Sequence, residues 1–194
     1  MKNVTIRLAI VCAVIMAFAF VPVEQATWKL DRSHSRLGFN ITHLTVTEVD
    51  GAFKKFDAKI TTTKEDFTDA VVEMTAETNS VSTDNEKRDE HIMGADYFDA
   101  AKFPTLTFKS TAFKKTADNK YKVIGNFTFK GITKIAELEI SAKTAVHPMT
   151  KKSIVGFKIS GSIKRSDFGI GNSTPDAILS DVVNLSANAE FVKE

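Results

Sequence analysis

The stretch Tyr121–Phe129 reads YKVIGNFTF, and its alternation decides the fold class. Tyr121, Val123, Gly125, Phe127 and Phe129 fall on one face of an extended chain, and Lys122, Asn126 and Thr128 on the other. A period of two with one dry and one wet face is the pattern of an antiparallel strand. Moving outward, the pattern repeats. Leu37, Phe39, Ile41 and His43 share a face, as do Ala70, Val72, Met74 and Ala76. So do Ala136, Leu138 and Ile140; Val155, Phe157, Ile159, Gly161 and Ile163; and Val183, Leu185, Ala187, Ala189 and Phe191. Runs near Phe53–Thr61 and Leu106–Phe113 are further strands. Turn signals stand at Val49-Asp50-Gly51, Ala117-Asp118-Asn119, Lys130-Gly131 and His147-Pro148. About eight strands without long intervening helices predict an all-β antiparallel barrel or sandwich. One segment breaks the rhythm. Thr83-Asp84-Asn85-Glu86 reads as a capping box with Thr83 as N-cap, which predicts a short helical segment near residues 84–98, ended by Phe103-Pro104.

Composition narrows the function. The chain has 194 residues, 43% hydrophobic and 26% charged, so it is globular rather than disordered. Its 26 basic and 24 acidic residues nearly balance, which argues against a nucleic-acid surface. The aromatic set is lopsided, with 15 Phe against 2 Tyr and 1 Trp. Small residues recur on the same faces as the Phe: Ala70, Ala76, Gly125, Gly161, Ala187 and Ala189. These faces fit either a packed core, with small residues matching a barrel's taper, or a lipophilic pocket.

The N-terminus is expected to lie outside the domain. Lys2 and Arg7 precede the apolar run LAIVCAVIMAFAFV (Leu8–Val21), which Pro22 and Glu24 end. The run is short for a transmembrane helix and has the layout of a secretory signal peptide. Residues 1–26 are assigned to it, with cleavage after Ala19 or Ala26, leaving 27–194 as a single domain. The expected location is periplasmic or secreted. Cys12 is the only cysteine and would leave with the signal peptide.

Four collinear stretches carry a resemblance to a known family. WKLDRSHSRLGFNITHL (Trp28–Leu44) resembles the opening of the YceI-like family. KRDEHIMGADYFDAAKFPTLTFKS (Lys87–Ser110) is similar to that family's Arg-Asp-x-His block and the Phe-Pro element after it. GNFTFKGITK (Gly125–Lys134) resembles its hairpin, and RSDFGIG (Arg165–Gly171) with Ser180-Asp181-Val182-Val183 its ending. The resemblance implies a lipocalin-like extended barrel that binds a long isoprenoid or other amphiphilic lipid in a periplasmic or secreted setting.

The expected lining is Leu37, Phe39, Ile41, His43, Phe108, Phe127, Phe129, Phe157, Ile159 and Leu185. Phe suits such a site better than Tyr, whose buried hydroxyl would need a partner. Arg88, His91, Arg165 and Asp167 are candidates for holding a polar head group; equally, residues of these blocks form an ion-pair and capping network, for example Arg88 with Asp99. The expected ligand is a long-chain isoprenoid, a quinone-like molecule or a fatty amphiphile. Transient contact with a membrane surface and a homodimer are both compatible with the sequence. Two other classes stand beside the carrier: a lipid-modifying enzyme with His43 or His91 as general base, and a structural domain with a filled core. No HExxH or HxH spacing is present, so no metal and no cofactor are expected. Ser33, His34 and Ser35 beside Asp31 suggest nucleophilic catalysis, but neighbouring residues in a strand point to opposite faces, so adjacency assembles no triad, and no Gly-x-Ser-x-Gly elbow occurs.

Overall fold

A computed structural model of the protein describes residues 24–194. The expected signal peptide therefore lies almost wholly outside the described residues. Alternating residues form β1 (Ala26–His43), β2 (Thr47–Phe53), β3 (Phe56–Thr62), β4 (Val71–Glu77) and β5 (Val81–Ser82). After helix α1 (Glu86–Met93) come β6 (Thr105–Ala117), β7 (Lys120–Phe129), β8 (Ile132–Val146), β9 (Ser153–Lys164) and β10 (Leu179–Lys193). Eight of these close an antiparallel barrel: β1, β10, β9, β8, β7, β6, β4 and β3 pair in turn, and β3 returns to β1. The barrel alternative is thus the one realised, and the fold is that expected of a lipocalin-like chain. First and last strands close the ring through the register Trp28 with Lys193 to His43 with Leu179.

One edge of β1 is shared between two strands. β3 pairs with Ala26–Lys29, and β2 with Leu37–His43. Between them β1 bulges: Asp31 faces Glu190 but Arg36 faces Asn188, so β1 spends five residues where β10 spends two. The bulge flips the phase of the strand. Even-numbered Trp28 and Leu30 face inward before it, and odd-numbered Leu37, Phe39 and Ile41 after it. A second register shift, between Ser110 and Ala112 of β6, likewise moves the inward set from Leu106 and Phe108 to Phe113.

Two local expectations are corrected. Val49-Asp50-Gly51 is not a turn but the middle of β2. A Cβ on Gly51 would meet the Phe39 ring at 2.2 Å, so the glycine serves cross-strand packing. The reversal lies at Leu44-Thr45, both at positive φ (51° and 58°), with the Val46 amide donating to His43 O at 3.1 Å. Second, the N-cap of α1 is Asn85, whose side chain accepts from the Arg88 amide at 3.0 Å. Thr83 instead donates to Asp89 Oδ1 at 2.6 Å and accepts from Arg88 Nε at 2.6 Å. The helix ends at Met93, within the expected helical segment. Hydrogen-bonded turns carry the chain on, with Phe98 N to Ile92 O (2.9 Å) and Ala100 N to Met93 O (3.0 Å).

Aromatics narrow the barrel toward each end. At one end Phe67 packs between Trp28 (ring centroids 5.4 Å apart) and Phe157 (5.7 Å). At the other, Phe98 from the segment after α1 lies against Phe129 (4.8 Å) and Phe53 (6.0 Å). That segment is tied to the β9–β10 connection. Gly171 N donates to Asp96 O (2.8 Å), Tyr97 shares a hydrogen bond with Thr174 (2.8 Å), and Lys130 Nζ reaches Ala95 O (2.9 Å) and Gly169 O (3.0 Å).

Candidate functional site: an apolar barrel cavity

The barrel holds a cavity of about 300 Å3. All ten residues expected as lining do line it: Leu37, Phe39, Ile41, His43, Phe108, Phe127, Phe129, Phe157, Ile159 and Leu185. The strand period places them there, since side chains two apart point to one face. Further lining residues escaped sequence reasoning. Val49 was hidden by the turn reading of 49–51, Phe53 stands at the join of β2 and β3 where the period breaks, and Phe98 and Ile170 lie in irregular segments without a period. His43 at the end of β1 and Arg88 on α1 are exposed members of the lining and mark its mouth.

Some small residues on the inner faces have a specific use. A Cβ on Gly125 would meet Lys109 O and the Phe108 ring at 2.5 Å, and one on Gly161 would meet Leu138 Cδ2 at 2.6 Å. At these two positions the missing side chain makes room for a neighbour, not for a ligand. Ala187 and Ala189, by contrast, line the cavity.

The four polar candidates separate. Arg88 lines the cavity, but its guanidinium is bound to Thr83, with Nε to Oγ1 (2.6 Å) and Nη2 to the carbonyl (2.7 Å). It forms no ion pair with Asp99. His91 is exposed, outside the lining, and packs edge-on against Tyr97 at 5.0 Å. Asp167 is exposed on the 3-10 turn Ser166–Phe168 and also lies outside the lining. Arg165 borders the cavity and is 3% exposed. Its nitrogens donate to Ser180 O (3.2 Å), Ile170 O (3.2 Å), Gly171 O (2.6 Å), Thr174 O (2.7 Å), Leu179 O (3.0 Å) and Asp176 Oδ1 (3.1 Å). A guanidinium has five N–H groups, so every donor is already used by the protein. Of the two readings open for Arg165, these bonds support the network: the side chain pins the β9–β10 connection. Beside it, burial works to raise the Asp181 carboxyl, but hydrogen bonds from Ser166 and the charge of Arg165 hold it below the usual range.

On the outer wall, the β1 bulge brings Asp31 and His34 together with Glu190 of β10. His34 Nδ1 lies 3.0 Å from Asp31 and 3.9 Å from Glu190. Hydrogen bonds from Ser33 and His34 hold the Asp31 carboxyl at about 2, and Asp31 raises the His34 ring above its ordinary value. These three ligand atoms lie within 4.8 Å of one another, a grouping that no local spacing announced. Contrary to the strand-face expectation, the bulge gathers these neighbours: the Ser33 hydroxyl donates to Asp31 Oδ1 at 2.5 Å and lies 3.5 Å from His34 Nδ1, and the shared bonds to Asp31 brace the bulge.

Comparison with known proteins agrees with this architecture. The model of the YceI-like domain matches residues 28–191. Protein YceI of Salmonella newport is 34% identical over 171 residues, 87% of this chain and 88% of its own. The crystal structure of Burkholderia cenocepacia BcnA superposes with a TM-score of 0.73 at 25% identity, covering 83% of this chain and 98% of that one. A polyisoprenoid binding domain from Saccharophagus degradans superposes with a TM-score of 0.65 at 15% identity, over 86% and 98%, a likeness of fold alone. The matched span runs from the tryptophan of β1 to Phe191 of β10, and the chain belongs to the YceI-like family.

Proposed function

We propose that the protein is an exported, non-enzymatic carrier that holds the hydrocarbon chain of an isoprenoid, or of a similar amphiphile such as a quinone or fatty amide, in its barrel. One observation carries this reading: a cavity of about 300 Å3 lined almost wholly by hydrocarbon. At ~24 cal/mol per Å3, leaving it empty would cost up to about 7 kcal/mol. That is an upper bound, because the mouth is open, yet it rivals the 5–15 kcal/mol that typically separates folded from unfolded states. A filled core would avoid the cost; an apolar occupant removes it. The polyisoprenoid binding domain of Saccharophagus degradans, which shares the fold, supports the class of occupant.

Export is supported by the apolar run after Lys2 and Arg7. Cleavage after Ala19 would keep the pairing of Ala26 with Thr62, which a cut after Ala26 would remove. Contact with a membrane during loading is supported by exposed apolar side chains beside the mouth: Leu44 (52%), Val46 (83%) and Ile178 (44%), with the Leu44 amide bonded to Ile178 O at 2.9 Å. The enzymatic alternative has less support, since neither the His43 nor the His91 ring makes a hydrogen bond among the described residues.

The test is to purify the mature chain without denaturation, extract it with organic solvent and analyse the extract by mass spectrometry. A stoichiometric isoprenoid or related amphiphile is expected. Phe127→Arg, which puts a cation among the lining rings, should abolish the bound lipid while export continues. An empty extract, together with no rise in Tm on adding a polyprenol, would overturn the carrier reading.

A further inference from the structure

The wall of the barrel is interrupted where β1 passes from β3 to β2. From Leu30 to Arg36 no strand pairs with that edge. A cleft of about 480 Å3 opens there on the outer surface. Arg32 and Arg36 reach it from the bulge, and Lys54 and Lys55 from the link between β2 and β3; Asp57 and Glu77 are its acidic members. Arg32 pairs with Asp57 at 2.7 Å and Lys55 with Glu77 at 3.4 Å. The side chains of Arg36 and Lys54 have no hydrogen-bond or ion-pair partner among the described residues. Four cations against two carboxylates leave an excess of two positive charges.

The floor of this cleft is also a wall of the apolar cavity. Phe53 and Phe56 line both spaces, so two rings are shared between a basic surface site and a hydrocarbon interior. Phe53 is buried against Phe39, Phe98 and Phe129, whereas Phe56 is only half-buried, which makes Phe56 the ring able to turn aside. A phosphate monoester carries about −1.5 to −2 charges at pH 7, matching the excess in the cleft. An arginine fork binds its oxygens bidentately, while a lysine adds a mobile point charge. Arg88 and Arg165, the cations beside the other opening, are already bound to protein oxygens.

We infer that this cleft receives the phosphate or diphosphate head of an anionic lipid whose chain enters the barrel between Phe53 and Phe56. The inference rests on the carrier reading and sharpens it by naming the charge class of the ligand and a lateral point of entry.

Binding of geranylgeraniol, geranylgeranyl diphosphate and inorganic diphosphate to the mature chain, measured by calorimetry for the wild type and the Arg36→Ala/Lys54→Ala double variant, tests it. In the wild type the diphosphate lipid should bind about tenfold or more tighter than the alcohol, the effect expected of one or two charge-assisted hydrogen bonds. The advantage should shrink as salt is raised. The double variant should lose it while binding the alcohol within about twofold of the wild type. Equal affinities in the wild type, or an advantage that survives in the variant, would overturn the cleft assignment and leave the carrier reading standing. Failure of both lipids to bind would refute the carrier reading. Inorganic diphosphate then decides the cleft alone: saturable binding lost in the variant supports an anion site, and no binding overturns it.

Discussion

Replacing Arg165 by methionine distinguishes a structural cation from a ligand-binding one. The side chain is 4% exposed, while its one acidic contact, Asp176, is 76% exposed. The ion pair is therefore screened at its acidic end and contributes little. The carbonyls matter more: those of Ser180, Ile170, Gly171, Thr174 and Leu179 all accept hydrogen bonds from this one guanidinium. Methionine fills a similar volume but donates nothing, so those oxygens must find water or remain unpaired. Hydrogen bonds to a charged group contribute about 1.5–3 kcal/mol each, but they share one side chain and the loop can relax toward solvent. The sum is therefore capped near the cost of breaking a buried charged network, about 3–5 kcal/mol. At roughly 2–4 °C per kcal/mol for a domain of this size, Tm should fall by ~6–20 °C. Thermal unfolding followed by circular dichroism measures it, alongside affinity for geranylgeraniol. Arg165→Lys should recover only part of the loss, because an ammonium has three donors and cannot span the same acceptors. A variant that melts like the wild type but no longer binds lipid would refute the reasoning and return Arg165 to the ligand.

Two further outcomes follow from packing and charge. Gly125→Ala should lower stability by about 1–3 kcal/mol, because its Cβ would meet a backbone carbonyl at 2.5 Å. Gly156→Ala, whose Cβ would meet only Lys143 O at 3.9 Å, should stay within about 0.5 kcal/mol of the wild type, and equal losses in urea unfolding would sink the packing argument. Acid sensitivity should trace to Asp31, held at about 2 by Ser33 and His34, and Glu73, held at about 2 by Lys109 and Lys59. Both carboxyls titrate lower folded than unfolded, so their stabilisation is complete above the unfolded value of about 4 and is lost as pH falls toward 2. Asp31→Asn or Glu73→Gln should flatten the fall of the urea midpoint across that window; unchanged slopes in both would refute the assignment. His34 acts in the opposite direction, since its raised value gives stability that is lost as pH rises through it.

Most of the cavity was legible because its cause is local. Phe127 and Phe129 point the same way in any extended chain, and the same holds for Phe157 with Ile159 or Leu37 with Phe39. The errors also have physical reasons. Asp50-Gly51 carries the residues of a tight turn, yet Gly51 lies in a strand because the Phe39 ring occupies the place of its side chain. The true turn at Leu44-Thr45 holds a β-branched residue at positive φ, against its intrinsic preference, because the β1–β2 register places the reversal there. Arg165 stood open between head group and network because no local rule tells how many carbonyls a folded loop will turn toward it. Phe98 went unread because narrowing a barrel end requires no period.

From the amino-acid order alone came the all-β class, the strand faces, the ten lining side chains and the resemblance to the YceI-like family. These depend on alternation and on motifs read within a few residues. The tertiary structure decided which strands meet, since the closure of β1 on β10 and the division of one β1 edge between β2 and β3 join residues far apart in the chain. It decided whether a polar residue faces a ligand or a loop. It also decided that basic residues on the outside and aromatic residues on the inside would share a cleft, because that juxtaposition exists only where a bulge leaves the wall of a closed barrel unpaired.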